Sequence, residues 1–236
     1  MYRKELSRIY ELRDLLPGAL PANAYFQNLD ETLAGSPSKL RQFRELENLL
    51  QCLDLPAWHF LKSEANRLLC TKDFARGWPA LFDKLNQARA YKYLKDRGCT
   101  DIKFIEPSPA RGQKTPDLSA SLDSELVLCE VKTINISNLE ANRRRNGGVI
   151  DIQVQLEQGF FSKLESDLDR ARKQISSYAG DDPARKMVYF IVNFDDLLHE
   201  YADRYRTQVD QFMHDHPVTD MEVFFDIKPP FYSALI

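Results

Sequence analysis

Residues 114–133 read KTPDLSASLDSELVLCEVKT, two apolar stretches meeting at Asp123-Ser124. Short runs rich in apolar and β-branched residues and bounded by turn formers read as strands, so 117–122 and 125–135 are expected to form an antiparallel hairpin about that pair. Glu130 and Lys132 stand inside a strand that is otherwise apolar on both faces, and charges there need a reason. Side chains alternate along a strand, which puts Glu130 and Lys132 on one face and Cys129, Val131 and Thr133 on the other. A two-residue turn sets Leu122 against Glu125, so facing residue numbers sum to 247 and Asp117 falls opposite Glu130. That is a non-hydrogen-bonded position, where α-carbons approach to roughly 4.5 Å. Two carboxylates so close repel unless a cation lies between them, and an oxygen-only donor set suits Mg²⁺ or Mn²⁺ better than zinc.

On either side of the hairpin the periods are regular. Residues 79–97 carry Leu81, Leu85, Ala88 and Leu94 at helical spacing and end at Gly98, a residue suited to the position just past a helix. A short strand is expected at 102–105, a helix at 162–179 with Leu164, Leu168, Ala171 and Ile175 on one face, and an apolar central strand at 187–193. A further helix near 196–213 and a strand near 222–227 complete the tail. Upstream, from Tyr2 to about Cys70, apolar residues recur every three or four positions, with breaks at Pro17-Gly18, Gly35-Ser36-Pro37 and Pro56. Ser36 or Ser38 is the expected cap of a helix whose first turn holds Pro37. The expectation is an α/β protein with a helical N-terminal region, 1–78, and a core, 79–236.

Composition narrows the function. At 43% hydrophobic and 28% charged residues over 236 positions, with a longest apolar run of only six residues at 187–192, the chain fits neither a membrane span nor a disordered class. Charges interrupt the N-terminal MYRKELSRIYELRDLL, so no secretory signal is expected there and the expected location is cytoplasmic. Four cysteines without a C-x-x-C pair read as packed or free thiols. The net charge of −3 argues against an all-over basic coat. Between Lys84 and Lys114, however, eight basic residues face three acids, the local surplus that a nucleic-acid surface needs.

Lys114-Thr115-Pro116-Asp117, twelve intervening residues and then Glu130-Val131-Lys132 resemble the PD-(D/E)xK nuclease superfamily. The order helix, hairpin, helix, strand over about 79–195 agrees with that restriction-endonuclease-like core. The resemblance implies a Mg²⁺-dependent (or Mn²⁺-dependent) endonuclease or exonuclease acting on DNA, with Asp117, Glu130 and the Val131 backbone carbonyl as metal ligands. Asp117, Glu130 and Lys132 would be catalytic, the lysine orienting water or stabilising the phosphoryl charge. Gln174-x-x-x-Tyr178 resembles a Q-x-x-x-Y element of RecB-type members and would face nucleic acid, with Lys114 and the basic run Arg143-Arg144-Arg145 as phosphate contacts. Many members carry a glutamate on the first core helix; here Gln87 stands nearest that place, where a neutral amide can still hydrogen-bond a bound water. A homodimer is one assembly the resemblance allows, since members that cut both strands often pair.

Each feature has a plainer competitor. An E-x-K on a strand alone is usually an exposed edge, and what lifts it here is the aspartate at hairpin register between apolar flanks. His59, His199, His214 and His216 lack a convincing partner set and read as surface histidines. The rival to an enzyme is a nuclease-fold module, weakened in chemistry, that binds nucleic acid or a protein partner.

Overall fold

The computed structural model describes residues 2–16, 23–74, 76–108, 114–135, 142, 155–193 and 202–228. The chain divides into two compact units, residues 1–93 and 94–235, with the boundary inside one helix.

In the first unit the helical periodicity becomes α1 (Ser7–Arg13), α2 (Leu29–Gly35), α3 (Pro37–Gln51), α4 (Leu55–Asn66) and most of α5 (Pro79–Asp96). Ser36 caps α3 through the Lys39 N–H, and Pro37 occupies its first turn. Pro56 does not break a helix; it sits in the first turn of α4 behind the Asp54 cap, where its missing N–H has no helical partner to lose. Leu6 occupies the cap position of α1 and offers no side-chain acceptor. Glu47, on α3, fills the gap by accepting from the backbone N–H of Arg8 at 3.1 Å and of Ile9 at 3.0 Å. Arg8 in turn donates to the Leu50 and Leu53 carbonyls near the end of α3, so each helix closes the other's open terminus.

The second unit is a five-stranded mixed sheet flanked by helices, in spatial order β1 (Thr100–Phe104), β2 (Leu118–Leu122), β3 (Glu125–Ile134), β4 (Arg185–Asn193), β5 (Glu222–Lys228). The first three strands are antiparallel neighbours and the last three parallel. Gly98, at φ +83°, turns the chain out of α5 into β1. In the hairpin, Leu122 faces Glu125 and the partner sum of 247 holds to Leu118 and Cys129. Asp123 and Ser124 both take positive φ, 51° and 68°, the type I′ geometry that matches the strand twist.

The parallel step from β3 to β4 is made through α6 (Gln158–Ala179), which begins four residues before the apolar stripe predicts. Phe160 packs on the core beneath it and Phe161 stacks on Phe212, so aromatic burial extends the helix backward. Leu128 of β3 meets Ile175 and Ala179, while Ile134 meets Leu164, Leu168 and Ala171. Val188 and Phe190 continue this layer on β4, with Phe190 stacked on Phe225 of β5 at 5.2 Å. β4 is buried from Met187 to Asn193, as a strand paired on both edges should be. α7 (Ala202–Asp215) adds Phe212 and Met213 to the same layer. No helix among the described residues is long and apolar enough to cross a membrane.

Two stability outcomes follow from the caps and the turn. Glu47→Ala leaves the Arg8 and Ile9 amides without their acceptor and should cost about 2–3 kcal/mol in urea unfolding. The double change Asp123→Asn with Ser124→Gly keeps the type I′ turn with residues that favour positive φ, and should raise the urea midpoint by about 1 kcal/mol equivalent.

Candidate active site

Because Leu128 and Ile134 both face α6, the residues between them on that face, Glu130 and Lys132, are carried under the helix. Glu130 is 3% exposed. A carboxylate so placed must find its hydrogen bonds inside the protein. Lys132 Nζ donates to its Oε1, and Gln174 Nε2, from the inner side of α6, donates to its Oε2 at 2.7 Å. Gln174 Nε2 also donates to the Thr115 carbonyl, tying the segment that leads into β2 to the same carboxylate.

Asp117 is the residue next beyond the paired part of β2. The ladder stops at Leu118 and Cys129, and Pro116 has no N–H with which to prolong it. Asp117 is held individually: its N–H donates to the Cys129 carbonyl at 3.1 Å, and its own carbonyl accepts from Ile105 N–H at 3.0 Å. Its carboxylate Oδ2 accepts from the Val131 N–H at 2.8 Å, which fixes it across the backbone of β3 beside Glu130.

Electrostatics record this crowding. Burial pushes the Glu130 carboxyl up to about 8, the Asp117 charge pushes the same way, and Lys132 and Gln174 offset part of both. The Cys129 thiol is raised well above its ordinary value, by burial first and by the two neighbouring carboxylates after it. The site holds more negative charge than its surroundings accommodate.

Asp117 is thus bonded to Val131, and Lys132 and Gln174 to Glu130, the residue before Val131 on β3. The Thr115 carbonyl joins them too; sequence reasoning had no signal for it, since a backbone oxygen leaves no residue-type mark. Gln174, expected to face nucleic acid, spends its amide protons inward. Lys114 is exposed just ahead of Thr115, and Tyr178 is 41% exposed one turn along α6 from Gln174. Gln87 is buried on α5, within the first unit. Arg143, Arg144 and Arg145 lie outside the described residues, as does His199. Among the described residues, no three His, Cys, Asp or Glu side chains are grouped to hold a metal ion. All four cysteines are free thiols, with Cys99 and Cys129 buried.

Compared with known proteins, the chain matches no family model, no curated protein and no solved structure.

The raised carboxyl has a measurable sign. Glu130 holds its proton more tightly folded, at about 8, than its ordinary value of 4.5, so its contribution to stability is complete below about 4.5 and is lost as pH rises towards 8. Glu130→Gln keeps the shape and removes the titration. In metal-free urea unfolding the variant should match wild type near pH 5 and exceed it by on the order of a few kcal/mol near pH 8. Parallel pH profiles would show that the carboxylate is not buried against Asp117.

Proposed function

We propose that the protein is a Mg²⁺-dependent nuclease that hydrolyses phosphodiester bonds, with DNA as the expected substrate, on a restriction-endonuclease-like core. The observation that carries this reading is the convergence of Asp117, Glu130 and Lys132, with the Glu130 carboxyl pushed up by burial and by Asp117. A carboxylate pair that destabilises itself is the donor set that a hard cation relieves. Mg²⁺ is commonly held by one or two carboxylates with water and substrate oxygens completing its shell, so two acids are enough. Asp117, Glu130 and the Val131 carbonyl would hold it, and when bound it would supply Lewis-acid neutralisation of the phosphoryl oxygens.

The chain's own groups do the rest. Val131 N–H aims Asp117, and Gln174 keeps Glu130 in register with the Thr115 segment. Lys132 offers an ammonium to the charge that builds on the phosphoryl group as a water oxygen bonds to phosphorus and the ester oxygen leaves with a proton. Lys114, exposed ahead of β2, and Tyr178, exposed on α6, are the proposed contacts to the substrate backbone and bases, and Arg143, Arg144 and Arg145, which follow β3 in the chain, are further proposed phosphate contacts.

One feature of the sequence favours a second reading, a nuclease-fold module that binds nucleic acid or a protein partner with weakened chemistry: no acid stands at the expected place on the first core helix where many members of the resembled family carry a glutamate, Gln87 being the nearest equivalent. The two separate in one assay. Asp117→Ala, Glu130→Ala and Lys132→Ala should each lower Mg²⁺-dependent cleavage of plasmid and labelled oligonucleotides by about 10²–10³-fold, and the losses should not add because the three act as one unit. Wild-type cleavage retained by any one of them would remove that residue from the site; a wild type that does not cleave would leave the binding module standing.

A further inference from the structure

Both oxygens of Glu130 are engaged from within. Its Oε1 takes the Lys132 ammonium and its Oε2 the Gln174 amide, so a cation arriving at this carboxylate meets a resident donor on either oxygen, and on Oε1 that donor is itself a cation. The two donors are not equally tied down. Gln174 is anchored a second time, at the Thr115 carbonyl, and projects from a helix whose neighbouring Ala171 and Ile175 are buried. Among the described residues Lys132 has one ion-pair partner, Glu130, and its side chain remains 20% exposed. It reaches back along the strand to a residue two positions earlier, on a stem with four rotatable bonds that serves equally well directed towards solvent. Of the two donors, the lysine is the one that can yield.

We infer that Lys132 is the resident counter-ion of the carboxylate pair and competes with the divalent cation for it, so that cation binding releases the ammonium for the phosphoryl group. This rests on the nuclease reading of the same site. With Glu130 ionised, as at pH 8.5, two carboxylates and one ammonium leave a net charge of −1, a state in which Lys132 compensates Glu130. A divalent ion arriving at the carboxylate repels an ammonium in the same place, and the lysine is driven off the acid. The arrangement links the steps in order. Without the cation, Lys132 is occupied and unavailable to substrate; with it, the lysine is free at the moment the phosphoryl group can be held. No bond is made or broken in the exchange, which is a swap of one cation for another on the same oxygens.

Competition predicts the opposite of what removal of a helpful residue gives. Calorimetric titration of Mg²⁺ and, separately, Mn²⁺ into nucleic-acid-free protein at pH 8.5 should show Lys132→Gln binding about tenfold more tightly than wild type, a difference of about 1.4 kcal/mol. Lys132→Gln retains a neutral donor to Glu130, and circular dichroism establishes that it is folded. Lys132→Met serves as the second variant and should tighten binding in the same direction. A second readout follows the ammonium itself. In protein labelled with ¹⁵Nζ-lysine, the resonance missing from Lys132→Gln identifies Lys132, and in wild type it should shift or broaden on adding Mg²⁺. Equal or weaker binding by Lys132→Gln overturns the competition while leaving the cation site in place. Tighter binding with an unmoved ¹⁵Nζ resonance overturns it as well, because the charge would then act through space without the ammonium leaving. If neither wild type nor the variants binds either ion, the cation site fails and the inference fails with it.

Discussion

Glu130 is the residue about which the second unit is arranged. A carboxylate carried into the layer between β3 and α6 is almost shut off from water and must take its donors from neighbouring side chains. Lys132 and Gln174 supply donors to its oxygens, and Gln174 then fixes Thr115. Asp117 sits in the same neighbourhood and makes the charge harder to bear. A packed hydrophobic layer of Leu128, Ile134, Ile175 and Leu168 surrounds a polar slot that would be better filled by apolar side chains if stability alone mattered. Local rules broken amid otherwise consistent packing point to a site selected for something other than stability.

The hairpin supplies the precision that such a slot requires. Its type I′ turn locks the register of β2 against β3, and a slip of one residue would send Glu130 and Lys132 to the opposite face. The parallel half of the sheet supplies rigidity instead. β4 is buried from Met187 to Asn193 and paired on both edges, so β3 is held between a hairpin partner and a central strand. Asp117 lies where the antiparallel pairing ends, with its backbone bonded to two different neighbours and its carboxylate accepting from Val131 N–H.

The first unit solves a different problem with the same chemistry. α1 is seven residues long and has no side-chain cap of its own, too short to persist unaided. Glu47 and Arg8 connect α1 and α3 end to end, each buried charge spending its hydrogen bonds on the other helix's orphan backbone groups. Burying these charges is tolerated because they meet backbone dipoles fixed in place, with the Ser7 hydroxyl and the Gln51 amide adding donors to Glu47.

Much of this was legible in the sequence, for reasons that are local. A period of two with a turn pair between the runs gives the hairpin and its register. The period near 3.6 gives α3, α5 and α6, and Gly98 and Ser36 mark helix ends because their roles depend on their own backbone geometry. The common face of Glu130 and Lys132 follows from strand alternation alone. What the sequence could not specify depends on residues far apart in the chain. That Gln174 would turn inward to Glu130 and Thr115, that Asp117 would leave the ladder to accept from Val131, and that Glu47 would cap a helix some forty residues away are outcomes of which buried donor happened to face which buried acceptor. Residue type and spacing set what each group needs; only the tertiary packing, by excluding water, decides which neighbour must meet that need.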